Sequence, residues 1–206
     1  MMQKLLNVKP LSQLSPIPII MGCEGVCASM ILRHNHINIS PLKLMRHWPK
    51  HDNNPYKGYV GHHFSIKLGH HQTIFPSAIV PYLKNYDADI IDSTGKSLTE
   101  LTKVIDQGQP VVIYHTVLGQ KPVSRVFKFD NIPTKLVSNI HTTVLVGYDE
   151  TYYYYIDPLW LNVFQKIYLP AIIPTRRQIL KIRKDKMETS YNAPGKMSFY
   201  LKTTNY

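Results

Sequence analysis

The chain has 206 residues, with 24 Lys and Arg against 13 Asp and Glu, for a formal net charge of +11 at pH 7. That length suits one domain with a buried core, and no stretch reaches the ~18 uninterrupted apolar residues that span a bilayer. Two cysteines exclude a disulfide framework, because on a helix Cys23 and Cys27 would hold their Cβ atoms ~5–6 Å apart, beyond the ~3.5–4.5 Å of a disulfide.

The amino-terminal stretch has no long apolar segment leading to a small-residue cleavage site, so no secretory signal is expected, and the chain reads as cytoplasmic or as beginning at a mature domain boundary. Residues 5–21 carry Pro10, Pro16 and Pro18 among apolar residues, which predicts an extended, buried lead-in. Gly22 allows a tight turn into a helix over about 23–34. Val26, Cys27, Met30 and Ile31 make that helix apolar over much of its surface, hence central, with Cys27 a buried free thiol. Ser40-Pro41 caps a second helix to about Trp48. Residues 49–75 read as loop, broken by Asn53-Asn54-Pro55, Gly58, Gly61 and Gly69.

Pro76 opens a third helical stretch to about Tyr86, and a strand follows near 88–92. Ser97 and Glu100 form a capping box for a helix ending at Gly108. Gln109-Pro110 then leads into a strand over 111–114. Residues 117–139 are polar and read as a strand-poor insertion. Strands are expected at 141–148, 152–157 and about 163–169. The basic run 176–186 interleaves Arg176, Arg177, Lys181, Arg183, Lys184 and Lys186 with Ile179, Leu180 and Ile182, and reads as one amphipathic helix. A last strand is expected at 197–202. Helices first and an antiparallel sheet after make a single α+β domain over 1–206 in two packed layers, with 170–206 as a carboxy-terminal extension.

No nucleic-acid motif accompanies the basic run, so a solvated face is the reading and nucleic acid is not an expected partner. An anionic surface remains compatible with the charge, without an integral membrane segment. His62, His63, His70 and His71 lie in a Gly-rich loop, but adjacent histidines do not converge on one ion and no Cys or acid completes a set. No metal or cofactor is expected.

The chemistry is carried by Cys23, His141 and Asp157. A thiol is a nucleophile as thiolate, and a helix amino terminus with a nearby imidazolium favours that form. His141 opens one strand and Asp157 ends the next, so a short turn at 149–151 brings them together across the ladder. A carboxylate there would hold the imidazole in one tautomer and orientation. The Cys23 N–H, with the Gln13 amide, would supply the donors of an oxyanion site.

These features resemble a known family, on five blocks: Leu6-Asn7-Val8 with Gln13; Gly22-Cys23-Glu24 with its helix; 54–61; Gly108-Gln109-Pro110-Val111-Val112; and His141 through Asp157-Pro158-Leu159. Together they resemble the stand-alone bacterial cysteine peptidases of the papain-like group related to the double-glycine leader peptidases of bacteriocin exporters. The resemblance implies a papain-like fold, with the N-terminal helices packed on a C-terminal antiparallel sheet. It also implies Cys23 as nucleophile, His141 as general base and then acid, and Asp157 as its orienting group. Gln13 fits the family's oxyanion glutamine if 16–21 loops out. The expected function is cleavage of a peptide bond in a peptide or protein substrate through an acyl-enzyme, with peptide maturation as the implied setting. Acyl transfer by the same residues, or an inactive peptide-binding module, are the alternatives. Oligomeric state is left open.

Overall fold

In the computed structural model, which describes residues 4–164 and 167–202, helix α1 (Cys23–His34) buries nine consecutive residues, Glu24 to Leu32. A helix covered on every side belongs in the interior. Helix α2 (Pro41–Met45) starts where the Ser40 hydroxyl accepts the Lys43 N–H, with Pro41 in the first turn. Helix α3 (Pro76–Leu83) also opens on Pro and stops short of the expected end. Helix α4 (Leu98–Asp106) has the full capping box of Ser97 and Glu100. Helix α5 (Lys184–Asn192) lies near the end of the described chain.

The strands begin with β1 (Lys4–Leu5), then the short parallel pair β2 (Lys50–His51) and β3 (Tyr59–Val60) inside the loop-like stretch. They continue with β4 (Ile90–Asp92), β5 (Val111–Thr116), β6 (Ser124–Phe129), β7 (Ile132–Val137), β8 (Ile140–Tyr148) and β9 (Tyr152–Ile156). The last four are β10 (Trp160–Phe164), β11 (Ile167–Pro170), β12 (Ile179–Arg183) and β13 (Ser198–Leu201). The main sheet has seven strands, in the order β12-β9-β8-β5-β13-β4 with β1 also on β8, and all its pairs are antiparallel.

Alternation along the strands builds two cores. Val112, Tyr114 and Val144 face α1, α2 and α3. Val111, Ile113 and Leu145 face α4 and α5. The fold is α+β, as expected, with α1 to α3 packed on a large antiparallel sheet. A second helical layer covers the opposite face, so there are three layers where two were expected. The reason lies in β5, all six residues of which are buried: a strand apolar on both sides needs cover on both.

Two stretches depart from expectation. Residues 117–139 are not strand-poor, since β6 and β7 form a hairpin from Ser124↔Val137 to Phe129↔Ile132. Its turn is Asp130-Asn131, both at positive φ, 49° and 69°, the conformation of a two-residue hairpin turn of right-handed twist. The basic run is not one helix. It is a single 3-10 turn at Arg176–Gln178, then β12, then the start of α5. Leu180 and Ile182 are buried while Lys181 and Arg183 are exposed, which is a period of two. The expected strand over 163–169 is divided between β10 and β11, and its middle, 165–166, lies outside the described residues.

Gly147 sits beside the irregularity in the β8–β9 ladder, and a Cβ there would overlap the Lys4 carbonyl oxygen. Gly147→Ala should therefore push β1 off the sheet. The expected cost is about 1–3 kcal/mol in urea denaturation. Faster amide exchange at Leu6, whose N–H bonds the Val146 carbonyl at 2.8 Å, would locate the damage.

Candidate active site

Three elements converge at one end of the sheet. Helix α1 begins at Cys23, and its N-cap Gly22 supplies no side-chain hydrogen bond. No cap side chain therefore competes at the start of that helix, whose dipole favours an anion. His141 is the second residue of β8, directly opposite His115 of β5. The Cys23 thiol and the His141 imidazole lie close enough for each to shift the other's titration. One helical turn further on, Cys27 is fully buried and its thiol bonds the Thr142 carbonyl at 3.3 Å.

Asp157 follows β9. Val144 pairs with Ile156, which brings Asp157 level with Thr143, and His141 is the next residue on that side of β8. The contact is therefore diagonal across the ladder, with His141 Nε2 and Asp157 Oδ1 2.8 Å apart. Both side chains are buried. Bonding through Nε2 leaves Nδ1 for Cys23. The same Oδ1 accepts the N–H groups of Leu159 at 2.8 Å and Trp160 at 3.0 Å. Asp157 is also clamped through its backbone: its N–H bonds the Gln178 carbonyl at 3.0 Å, and the Gln178 amide returns a bond to its carbonyl at 2.9 Å.

Gln13 is buried and lines the cleft above Cys23. Its backbone is held from both sides, by its N–H to the Pro158 carbonyl at 2.9 Å and by its carbonyl to the Ile19 N–H at 2.6 Å. The stretch between 13 and 20 thus loops out and closes on Gln13. One N–H of the Gln13 amide goes to the Ile20 carbonyl at 3.1 Å, and its Oε1 has no partner. A second N–H is left for the cleft.

Electrostatics here has more contributors than Cys, His and Asp. Burial works against a charged His141, but the Asp157 carboxylate and the neighbouring Cys23 hold it well above the usual histidine range. The thiol departs from expectation. Burial first, then the neighbouring Glu24 carboxylate, push Cys23 up, and the His141 imidazole opposes them without prevailing. Glu24 Oε2 accepts the Cys23 thiol at 3.4 Å, while Oε1 takes the Thr73 hydroxyl and the Ile74 N–H. At neutral pH this describes a thiol beside an imidazolium, from which the loss of one proton leaves a thiolate–imidazolium pair. Beneath them His115, fully buried against Thr143 and Ser190, is pushed down to about 3 by burial and by His141, and stays neutral.

Glu24, Gln178 and His115 were not singled out from sequence. Only Glu24 left a trace there, as the residue beside the thiol in the first turn of the helix. The cleft holds about 360 Å³, with Ile66, Leu68, Phe127 and Leu159 in its walls and Lys67 and Arg125 as its cations. Among the described residues no three His, Cys, Asp or Glu are grouped to hold a metal. The His62 and His63 rings stack 5.0 Å apart, and the buried His71 bonds the Val137 carbonyl.

Residues 5–196 match the sequence model of the Peptidase_C39-like family. Among solved structures, the chain is similar to a protein from Bacillus anthracis assigned to the C39-like peptidases, at 24% identity and a TM-score of 0.82, over 100% of both chains. No curated protein is similar enough to the chain to be matched.

Two substitutions test this electrostatic account. Asp157→Ala should cost about 3–5 kcal/mol and lower the His141 titration, followed by imidazole NMR. A histidine raised on folding stabilises fully below its unfolded value and loses that contribution as pH rises through its folded one. The penalty should therefore shrink at alkaline pH. Glu24→Gln removes the charge that disfavours thiolate, so the pH profile of Cys23 alkylation, read in a Cys27→Ser background, should move to lower pH.

Proposed function

We propose, for a chain that belongs to the Peptidase_C39-like family, that it is a cysteine peptidase working through Cys23, His141 and Asp157. The fold of that family is a cysteine-peptidase fold, and the observation that carries the reading further is the buried 2.8 Å bond from His141 to Asp157 beside the thiol that opens α1. We also assign the protein to the cytoplasm, where a free thiol stays reduced. Among the described residues no helix is long and apolar enough to cross a membrane.

In the proposed reaction the Cys23 thiol, beside the protonated His141, loses its proton to solvent, and the thiolate attacks the scissile carbonyl carbon. Negative charge moves to the carbonyl oxygen, where the Cys23 N–H and the free N–H of the Gln13 amide receive it. The tetrahedral species collapses, the C–N bond breaks, and His141 protonates the leaving amine. The carbonyl carbon is then a thioester on Sγ. His141 next takes a proton from water, whose oxygen attacks the thioester, releasing a carboxylic acid and restoring the thiolate beside the imidazolium. Asp157 keeps the imidazole aimed at Sγ through both halves and stabilises its cation. A thiol pushed up by burial and by Glu24 makes activation depend chiefly on His141, with a smaller contribution from the Thr142 backbone.

The test combines a peptide library with thiol chemistry, both in the Cys27→Ser background. Cleavage with capture of a Cys23 thioester by mass spectrometry is expected, with no cleavage by Cys23→Ala. His141→Ala should move Cys23 alkylation to higher pH and lower kcat/KM by at least about 10³-fold. A library product carrying an added amine instead of a free acid would make the enzyme an acyltransferase. An alkylation profile that ignores His141, with no peptide cut, would leave a peptide-binding module and overturn the proposal.

A further inference from the structure

The hairpin of β10 and β11 is amphipathic in the wrong sense for a soluble surface. Its register pairs Trp160 with Pro170, Leu161 with Leu169, Asn162 with Tyr168 and Phe164 with Ile167. Trp160 and Tyr168 pack on the second core. The opposite face carries Leu161, Phe164, Ile167 and Leu169, of which Phe164 is 70% exposed. The chain then runs into Ile172 and Ile173, 68% and 73% exposed. Solitary exposed apolar residues are ordinary, but a contiguous band of them marks an interaction surface.

The charge around the band is one-sided. Neither 1–23 nor 158–184 contains an Asp or Glu, and the second stretch supplies Arg176, Arg177, Lys181, Arg183 and Lys184. These two acid-free stretches are bound to each other, by the Ser12 hydroxyl on the Ala171 carbonyl, the Gln178 amide on the Leu11 carbonyl at 2.9 Å and the Arg176 guanidinium on Asn7 at 3.0 Å. Of the carboxylates flanking them in sequence, Glu24 and Asp157 are buried in the site, and the exposed Asp185 is paired with Arg183 at 3.1 Å, away from Arg176 and Arg177 in sequence. A surface formed this way offers aliphatic side chains for insertion, with guanidinium groups beside them and no exposed acid from either stretch.

From this juxtaposition we propose that the β10–β11 hairpin and the segment through Arg177 form a docking surface for an anionic lipid bilayer. Phe164, Ile167, Ile172 and Ile173 enter the level of the acyl chains, and Arg176 and Arg177 remain among the phosphates. Apolar insertion and attraction to anionic headgroups together set the strength of such peripheral binding. The proposal rests on this surface and not on the activity of the cleft. The geometry adds an orientation: Leu159 lines the cleft, and its carbonyl accepts the Ala171 N–H at 2.7 Å. The docked face thus adjoins the site, and a peptide lying at the membrane surface would reach it.

The experiment is vesicle flotation of the full chain with phosphatidylcholine vesicles, with and without phosphatidylglycerol, at low and high salt. Ile172→Ser/Ile173→Ser and Arg176→Gln/Arg177→Gln are the two variants, each checked for an unchanged thermal transition. Binding to phosphatidylglycerol-containing vesicles alone, weakened by salt and reduced at least about tenfold in each variant, is the expected result. No flotation, or equal flotation with neutral vesicles, would overturn the proposal. So would a dimer in sedimentation velocity that the Ile variant dissolves while lipid binding is absent, since the band would then be an interface between copies of this chain. Flotation equal to the unaltered protein in either folded variant would also refute it.

Discussion

The arrangement hinges on one buried hydrogen bond, from His141 to Asp157. A carboxylate taken out of water is tolerated only if the group is met by donors or by an opposite charge. Here a single oxygen collects the imidazole and two backbone N–H groups. That requirement dictates the path of the chain for several residues on either side. The turn after β9 must present Leu159 and Trp160 to the carboxylate, and β12 must lie close enough for Gln178 to grip the Asp157 backbone from both directions. The imidazole so fixed has one nitrogen left, and α1 delivers a thiol to it. Packing supplies the stiffness for this, since α1 is buried for nearly its whole length between the sheet and its neighbouring helices.

Glu24 changes how that thiol should be regarded. The amino terminus of a helix favours an anion, and sequence reasoning stops there. The next residue places a buried carboxylate against the sulfur, tied in turn to Thr73 and Ile74 at the base of the loop that walls the cleft. Position of that loop and acidity of the thiol are thereby coupled through one side chain.

Much of this was legible in the chain, for identifiable reasons. Helix α1 announces itself by a glycine turn and an unbroken apolar stripe, and β8 and β9 by β-branched and aromatic residues around a short polar turn. Cys23, His141 and Asp157 stand at the ends of those elements, so finding the elements located the residues. The segment Ile179–Arg183 was misread because five residues are too few to tell two periods apart. Leu180 and Ile182 sit on one face of a strand, while Ile179, Leu180 and Ile182 sit on one face of a helix. Gln178 left no signal, because its role depends on β12 pairing with β9, a contact between distant parts of the chain. The turn at Asp130-Asn131 carried a signal that went unused, in two residue types that tolerate positive φ. Which face of β10 meets solvent could not be deduced, since Leu161 and Trp160 are both apolar.

Strand β13 gives the fold a temporal order. It lies between β4 and β5, although both precede it by about a hundred residues and chains emerge from the ribosome amino end first. A nascent chain that has already exposed its thiol, imidazole and carboxylate still lacks the strip that joins the two parts of its sheet. Until residues 198–201 arrive, Val111, Val112 and Ile113 of β5 lack their partners Tyr200, Phe199 and Ser198, and Gln178 reaches Asp157 only shortly before. Assembly of the site is thus deferred until β12 and β13 have been made, when the strands that enclose it are present.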